Sequence, residues 1–324
     1  MRQLVRRAAG ALTALKPVWM MSPLAVSQFL EKKPGQFDLL IIDEASQMRP
    51  EDALPSVLRA KQIVVVGDNQ QLPPTNFFES SLEAGGDDEE DIQQESILDL
   101  AATRIANSRT LRWHYRSRHP DLIRFSNKRF YDNRLLIVPT PTPESPELGI
   151  THIAVDDAIC ISSSAGSVVN RNEAERAVEE AVTHMTLHPT KSLGIVAMNV
   201  TQKEYIREMF EQQLSTNKAV RDYFEAWQED ELEPFIIRNL ESIQGDERDV
   251  IIISTVYGPN ETGTVRQNFG PINRYYGARR LNVLFSRAKE KVILVTSLKP
   301  NDISVENHAQ STGKAALQEY IKFA

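Results

Sequence analysis

A single cysteine, Cys160, in 324 residues excludes an internal disulfide and any zinc site built on several thiolates, and it suits a reducing compartment. Long apolar runs are missing too. The best, residues 250–253 and 292–295, have strand length, well short of the roughly 20 residues that cross a bilayer. A soluble, cytoplasmic protein with no membrane partner is expected. Basic charge is not in excess either: 37 Lys and Arg stand against 44 Asp and Glu, a formal net charge of −7. Any nucleic-acid site must therefore be a local basic groove rather than a property of the whole surface. The Arg-rich start resembles a signal peptide, but Lys16 interrupts its weak apolar stretch and no small-residue cleavage site follows, so a helix through Leu15 is expected.

What is present reads as a folded, two-domain chain, with 41% hydrophobic and 25% charged residues. A short strand is expected near Val18 to Met21, then a helix opened by Ser22 and Pro23, where Ser can cap and Pro fits the first turn. Phe37 to Ile42 is a continuous apolar run ending in Asp43-Glu44, the pattern of a buried parallel strand. A second such run, Gln62 to Val66, ends at Gly67-Asp68, and Pro50 to Ala60 between them has the character of a crossover helix. Residues 83–95, rich in Gly and acids, read as a solvated surface insertion. The pattern is helical from Pro120 to Tyr131, and the prolines between Val138 and Pro146 demand an extended loop. From Ile150 to Thr296 strand and helix patterns alternate, which argues for a doubly wound α/β sheet. Phe125 and Phe130, among Leu122, Ile123 and Leu135, read as core.

Two adjacent acids at the carboxyl end of a buried strand stand where open α/β sheets bind ligands. In a nucleotidase the first, here Asp43, holds a metal and the second, Glu44, orients or deprotonates the attacking water. The same residues could instead end a strand and cap the next helix. The second strand runs into Gly67-Asp68-Asn69-Gln70-Gln71-Leu72-Pro73-Pro74-Thr75, a glycine turn with an amide able to reach a phosphate oxygen and prolines that stiffen the exit.

These two stretches resemble motifs II and III of superfamily 1 helicases, in the branch of the nonsense-mediated-decay helicases. Leu111-Arg112-Trp113-His114-Tyr115-Arg116-Ser117-Arg118-His119-Pro120 is similar to the segment that enters the second motor domain, and Leu193 to Asn199 with Gln202 resembles motif IV. Asn239 to Val250 looks like motif V, and Arg279 to Lys289 like motif VI. The wording from Asn239 to Asp249 and from Met20 to Val26 most resembles large bacterial helicases with a restriction-endonuclease-like tail. The resemblance implies a RecA-like P-loop NTPase fold with parallel sheets flanked by helices. It implies a partial first motor domain over 1–108 and a complete second one over 109–324, with ATP at their cleft and a hinge near Arg109. It assigns magnesium to Asp43, water activation to Glu44 and phosphate sensing to Gln71. Tyr115 would stack on adenine, Arg116 and Arg287 would be arginine fingers, and Gln244, Gly245 and Glu247 would lie near nucleotide. Pro74, Thr75 and Ser242 would contact single-stranded DNA or RNA. Taken singly, either arginine could be a surface charge or an ion-pair partner.

The glycine-rich phosphate cradle G-x-x-x-x-G-K-[ST] is missing. Gly313-Lys314 lacks the first glycine and the hydroxyl residue and reads as the cap of the last helix. The chain therefore reads as truncated: an ATP-dependent helicase or translocase fragment, expected to hydrolyse little ATP alone. The alternatives are a non-catalytic nucleic-acid-binding module and one half of a split helicase whose P-loop comes from a separate polypeptide. Basic residues from Arg104 to Arg134, interleaved with Trp113 and Tyr115, offer a groove for a strand.

Overall fold

A computed structural model describes residues 2–74, 95–141, 145–162, 168–229, 232–305 and 312–324. The chain divides into two compact units, Met1–Thr110 and Leu111–Ala324.

The first unit opens with helices α1 (Arg2–Arg7), α2 (Ala9–Leu15) and α3 (Pro23–Phe29). The helix expected through Leu15 is thus broken at Ala8. Ser22 caps α3 by accepting from the Ala25 amide at 3.3 Å, with Pro23 in the first turn. The strand expected near Val18 to Met21 is not formed: among the described residues no strand pairs with this segment, and Trp19 and Met21 instead pack on Val5, Val26 and Leu30. Strand β1 (Phe37–Ile42), helix α4 (Pro50–Val57) and strand β2 (Ala60–Val65) form a parallel βαβ unit with Leu40 opposite Ile63 and Ile42 opposite Val65. Helix α5 (Ile97–Arg104) closes the unit, started by a capping box in which Ser96 and Asp99 satisfy each other's amides. One face of the two strands packs on Ala45, Ala53 and Ile97. On the other, Leu39 and Ile41 are 48% and 61% exposed.

The second unit runs β3 (Trp113–His114), α6 (Asp121–Phe130), β4 (Leu136–Ile137), β5 (Gly149–Ala154), β6 (Cys160–Ser162) and β7 (Val168–Asn170). Then come α7 (Arg171–Leu187), β8 (Leu193–Ala197), α8 (Val200–Thr216), α9 (Lys218–Gln228), β9 (Ile236–Asn239) and β10 (Arg248–Ser254). Helix α10 (Gly277–Phe285), β11 (Ala288–Thr296) and α11 (Thr312–Phe323) complete it. Its sheet is five-stranded and wholly parallel, in the order β5-β11-β10-β8-β9. Every position of β8 is buried, as both-sided covering by helices requires. Phe285 stacks on Tyr320 at 3.5 Å and Phe125 meets both edge-on, so Phe125 is core; Phe130 is half-buried beside it. Among the described residues no helix is long and apolar enough to cross a membrane.

Candidate functional site

In the first unit the chemistry gathers at the carboxyl tips of β1 and β2. The chain leaves β1 through Asp43 into Glu44, whose φ of +50° puts a non-glycine residue in the left-handed region. Such a conformation is sparsely populated and persists where its surroundings impose it. Here the Glu44 amide donates to Asp43 Oδ1 at 2.9 Å, and Gln47 Nε2 donates to Glu44 Oε2 at 3.1 Å. Ala45 and Ser46, immediately behind, are buried, so the two acids stand exposed on a fixed base. The tip of β2 lies against this turn. The Ala45 amide donates to the Val66 carbonyl at 2.9 Å, and a Cβ at Gly67 would come within 3.0 Å of the Ser46 amide nitrogen and 3.1 Å of that of Ala45. Glycine at 67 is what permits the approach. Asp68 accepts from the Gln70 amide at 2.8 Å and from Gln71 Nε2 at 3.1 Å, which orients the Gln71 amide. Asp43 and Glu44 thus stand at one strand tip and Gln71 follows the adjacent one, where it is oriented by Asp68, an acid that sequence reasoning did not single out. Pro74 is buried, and Thr75 lies outside the described residues.

In the second unit three segments meet. The Arg118 amide donates to the Lys289 carbonyl at 2.6 Å, and the Arg248 amide to the Arg287 carbonyl at 3.2 Å. Residues 115–118, 244–248 and 287–289 are therefore neighbours. Arg116 Nε pairs with Glu247 Oε2 at 2.5 Å, while Lys289 pairs with Glu233 and lies 3.7 Å from Glu247 Oε1. Lys289 is the member of this array that sequence reasoning missed; a long-range ion pair has no local signature. Tyr115 stands 84% exposed. Gln244 is half-buried, and Gly245 has φ +88° with nothing within 4 Å of where a Cβ would be. Backbone with open space above it can approach a ligand closely. Arg287 is buried, its Nε donating to the Val283 carbonyl at 2.8 Å, so it is held by the end of α10 and is no loose surface charge. Ser242 uses its hydroxyl within its own turn, accepting from the Asn239 amide at 3.1 Å and donating to Asn239 Oδ1.

A buried polar centre supports the carboxyl ends of β10 and β11. Glu173, fully buried in α7, accepts through Oε2 from the Val256 amide at 2.7 Å and through Oε1 from the Ser297 amide at 2.7 Å. The hydroxyls of Ser254 and Ser297 donate to it as well, at 3.0 and 2.7 Å. Burial pushes its carboxyl pKa up, and these hydrogen bonds pull the other way. Val256 is held at φ +71°, a conformation a β-branched residue rarely adopts.

A family model described as an AAA domain matches residues 93–299, more than half of the chain, and a second of the same description matches residues 23–79. An uncharacterized ATP-dependent helicase of Mycoplasma genitalium is 31% identical over 321 residues, 96% of this chain and 28% of that protein. A Drosophila melanogaster homolog of regulator of nonsense transcripts 1 is 31% identical over 275 residues, 80% of this chain and 21% of that protein. The chain belongs to the superfamily 1 helicases, in the Upf1-like branch. Among solved structures, the PRRSV helicase superposes with a TM-score of 0.36 at 13% identity, over 79% of this chain and 34% of that one. The chain spans about a quarter of the length of these two helicase relatives. The stretches that resemble motifs II and III fall in the first unit and those that resemble motifs IV to VI in the second.

Proposed function

We propose that this fragment carries the hydrolytic half of an ATP-driven motor that moves along single-stranded DNA or RNA. The observation that carries the reading is the acid turn after β1, where a left-handed Glu44 stands beside Asp43, with the Asp68-held Gln71 on the neighbouring strand tip. Magnesium, held by Asp43 together with phosphate oxygens, would neutralise phosphate charge. One exposed carboxylate suits that ion, which keeps most of its waters, and no cluster of three or more metal-binding side chains occurs among the described residues. Glu44 orients and deprotonates water, Gln71 senses the terminal phosphate, and Tyr115 stacks on adenine. Arg116 and Arg287 spread positive charge over the transferred phosphoryl group, a task for which a permanent planar cation is suited. Gln244, Gly245 and Glu247 line the approach of the nucleotide. Pro74, Thr75 and Ser242 are assigned to contacts with the strand.

Magnesium-dependent ATP hydrolysis by the purified chain, with and without single-stranded DNA or RNA, tests this beside Glu44→Gln. Little or no turnover is expected alone, because no segment has the phosphate-cradle sequence. Turnover that Glu44→Gln abolishes would show that other residues build the cradle.

The exposed face of the small sheet favours one refinement. Leu39, Ile41 and Val64 are 48%, 61% and 44% exposed where a parallel sheet is ordinarily covered. A further segment bearing the P-loop, in the same or a separate polypeptide, covers them in the working motor. Adding a polypeptide with that segment is expected to restore hydrolysis and to protect the amides of β1 from exchange. Failure of both would favour a non-catalytic nucleic-acid-binding module.

A further inference from the structure

Between β3 and the segment that runs beside Lys289, the chain makes one tight turn, and the two side chains at its apex are Tyr115 and Arg116. Both ends of the turn are fixed. On entry β3 pairs with β4, and the Leu136 amide donates to the Arg112 carbonyl at 2.6 Å. On exit the Arg118 amide donates to the Lys289 carbonyl at 2.6 Å, and the Arg118 guanidinium pairs with Glu290. Between these fixed ends, closure of the turn sets the backbone from which the two apex side chains project.

That closure is made by a histidine ring. Ser117 is buried, and its amide donates to His114 Nε2 at 3.3 Å while its hydroxyl lies 2.8 Å from the same nitrogen. A nitrogen that accepts from an amide carries no proton of its own, so His114 has its proton on Nδ1. Protonating Nε2 would set an N–H against the Ser117 N–H and open the turn. Burial, and then the neighbouring Arg116 charge, lower the His114 pKa to about 4, which keeps the ring neutral in ordinary buffers.

We propose that His114 is a positioning residue for nucleotide: as a neutral acceptor it closes the 114–117 turn and so presents the Tyr115 ring and the Arg116 guanidinium as one preset pair. The proposal rests on the reading that Tyr115 and Arg116 face nucleotide. Its physical content is preorganisation. An exposed aromatic ring and a long cation on a closed turn lose less freedom when a ligand arrives than the same groups on an open loop. The pairing of Arg116 with Glu247 shows the guanidinium already held in one place.

The experiment titrates the chain with the fluorescent analogue mant-ATP in the presence of magnesium. It compares wild type with H114Q, H114M and Y115A, with a thermal melt of each. Glutamine returns an oxygen acceptor at about the reach of Nε2, whereas methionine has similar length and almost no acceptor power. Y115A is expected to weaken binding most. H114M is expected to weaken it by about five- to tenfold with the melt little changed, and H114Q to stay within about twofold of wild type. Binding by H114M equal to wild type, or by H114Q no better than H114M, overturns the role of His114 while a weak Y115A leaves the nucleotide reading standing. No binding by wild type, or binding indifferent to Y115A, overturns the nucleotide reading and this proposal with it. Amide exchange of the wild-type chain decides the geometry even if H114M fails to fold: Ser117 is expected to be protected, and free exchange at Ser117 overturns the closed turn.

Discussion

The two units carry the same kind of strand and bury it differently. Leu39 to Ile42 in β1 and Val250 to Ile253 in β10 are both unbroken apolar runs at the carboxyl ends of parallel strands. In β10 all four of these residues are buried, and in β1 only Ile42 is. An apolar run states what a strand needs on its two faces, and it does not supply the partner. Among the described residues the parallel sheet of the second unit has five strands and covering helices enough to meet that need, whereas that of the first has two strands and one covered face. The acid turn of the first unit is therefore mounted on the less buried of the two sheets.

The largest effect that would sharpen this contrast is at Glu173. Each of its carboxylate oxygens takes one backbone amide, from Ser297 and from Val256. In Glu173→Gln one of those amides must face an NH₂ group whichever way the side chain flips. Orphaning buried donors in this way costs on the order of 3–5 kcal/mol and removes a bond that holds Val256 at positive φ. Denaturant unfolding with amide exchange read strand by strand is expected to show the loss on β10 and β11 and no change on β1. Uniform loss across both units would break the comparison.

Next in size is a matched pair of truncations. Ile252→Ala, at a fully buried position, is expected to cost about 2–5 kcal/mol, and Ile41→Ala, 61% exposed, less than about 1 kcal/mol. Equal costs would mean that the β1 face is covered in solution. If the P-loop segment supplies that cover, adding it should raise the cost of Ile41→Ala toward that of Ile252→Ala.

How much of this was legible follows the same division between local and distant causes. The runs of β1, β2, β8 and β10, the cap at Ser22 and the acids at 43 and 44 are local patterns, and the structure forms them where the residues indicate. Helix α9 was legible in principle, since Val220, Tyr223, Phe224 and Trp227 fall at helical spacing. Its start is hidden because Asn217 both ends α8 and caps α9, leaving no loop to announce a new element. The pairings of Glu173 with Ser297 and of Lys289 with Glu233 are tertiary choices of side chains that no spacing encodes, whereas that of Asp68 with Gln71 spans only three residues.

Acid separates the units further, because all six histidines lie in the second. His114 titrates at about 4 when folded and near 6.5 when unfolded, so between those values the unfolded chain binds the extra proton. The stability it contributes is whole above pH 6.5, falls as the pH is lowered toward 4, and changes no further below that. His184 shifts in the same direction through burial, so the histidine-linked loss on acidification falls on the second unit. The difference between wild type and H114Q, followed by urea unfolding from pH 7 to pH 4, isolates the His114 share. A difference that does not vary with pH in that window would remove the neutral-imidazole account of the turn.

The smallest effect is expected where the two units differ in how they use ion pairs. Lys61 and Asp38 pair at 2.7 Å on the surface of the first unit, with side chains 62% and 91% exposed. The lysine holds the Asp38 carboxyl below its ordinary range, so the pair's contribution is present above about pH 4 and is lost as the pH falls through the lowered value. Water and salt screen such a pair, and Lys61→Ala is expected to leave unfolding at pH 7 unchanged within error. Lys289 is 17% exposed and stands between Glu233 and Glu247. Lys289→Ala would leave those two carboxylates with less counter-charge where water screens poorly, and a loss on the order of 1–3 kcal/mol is expected, lessened by added salt only slightly. If Lys61→Ala were the costlier of the two, the surface of the first unit would carry stability that its exposure denies.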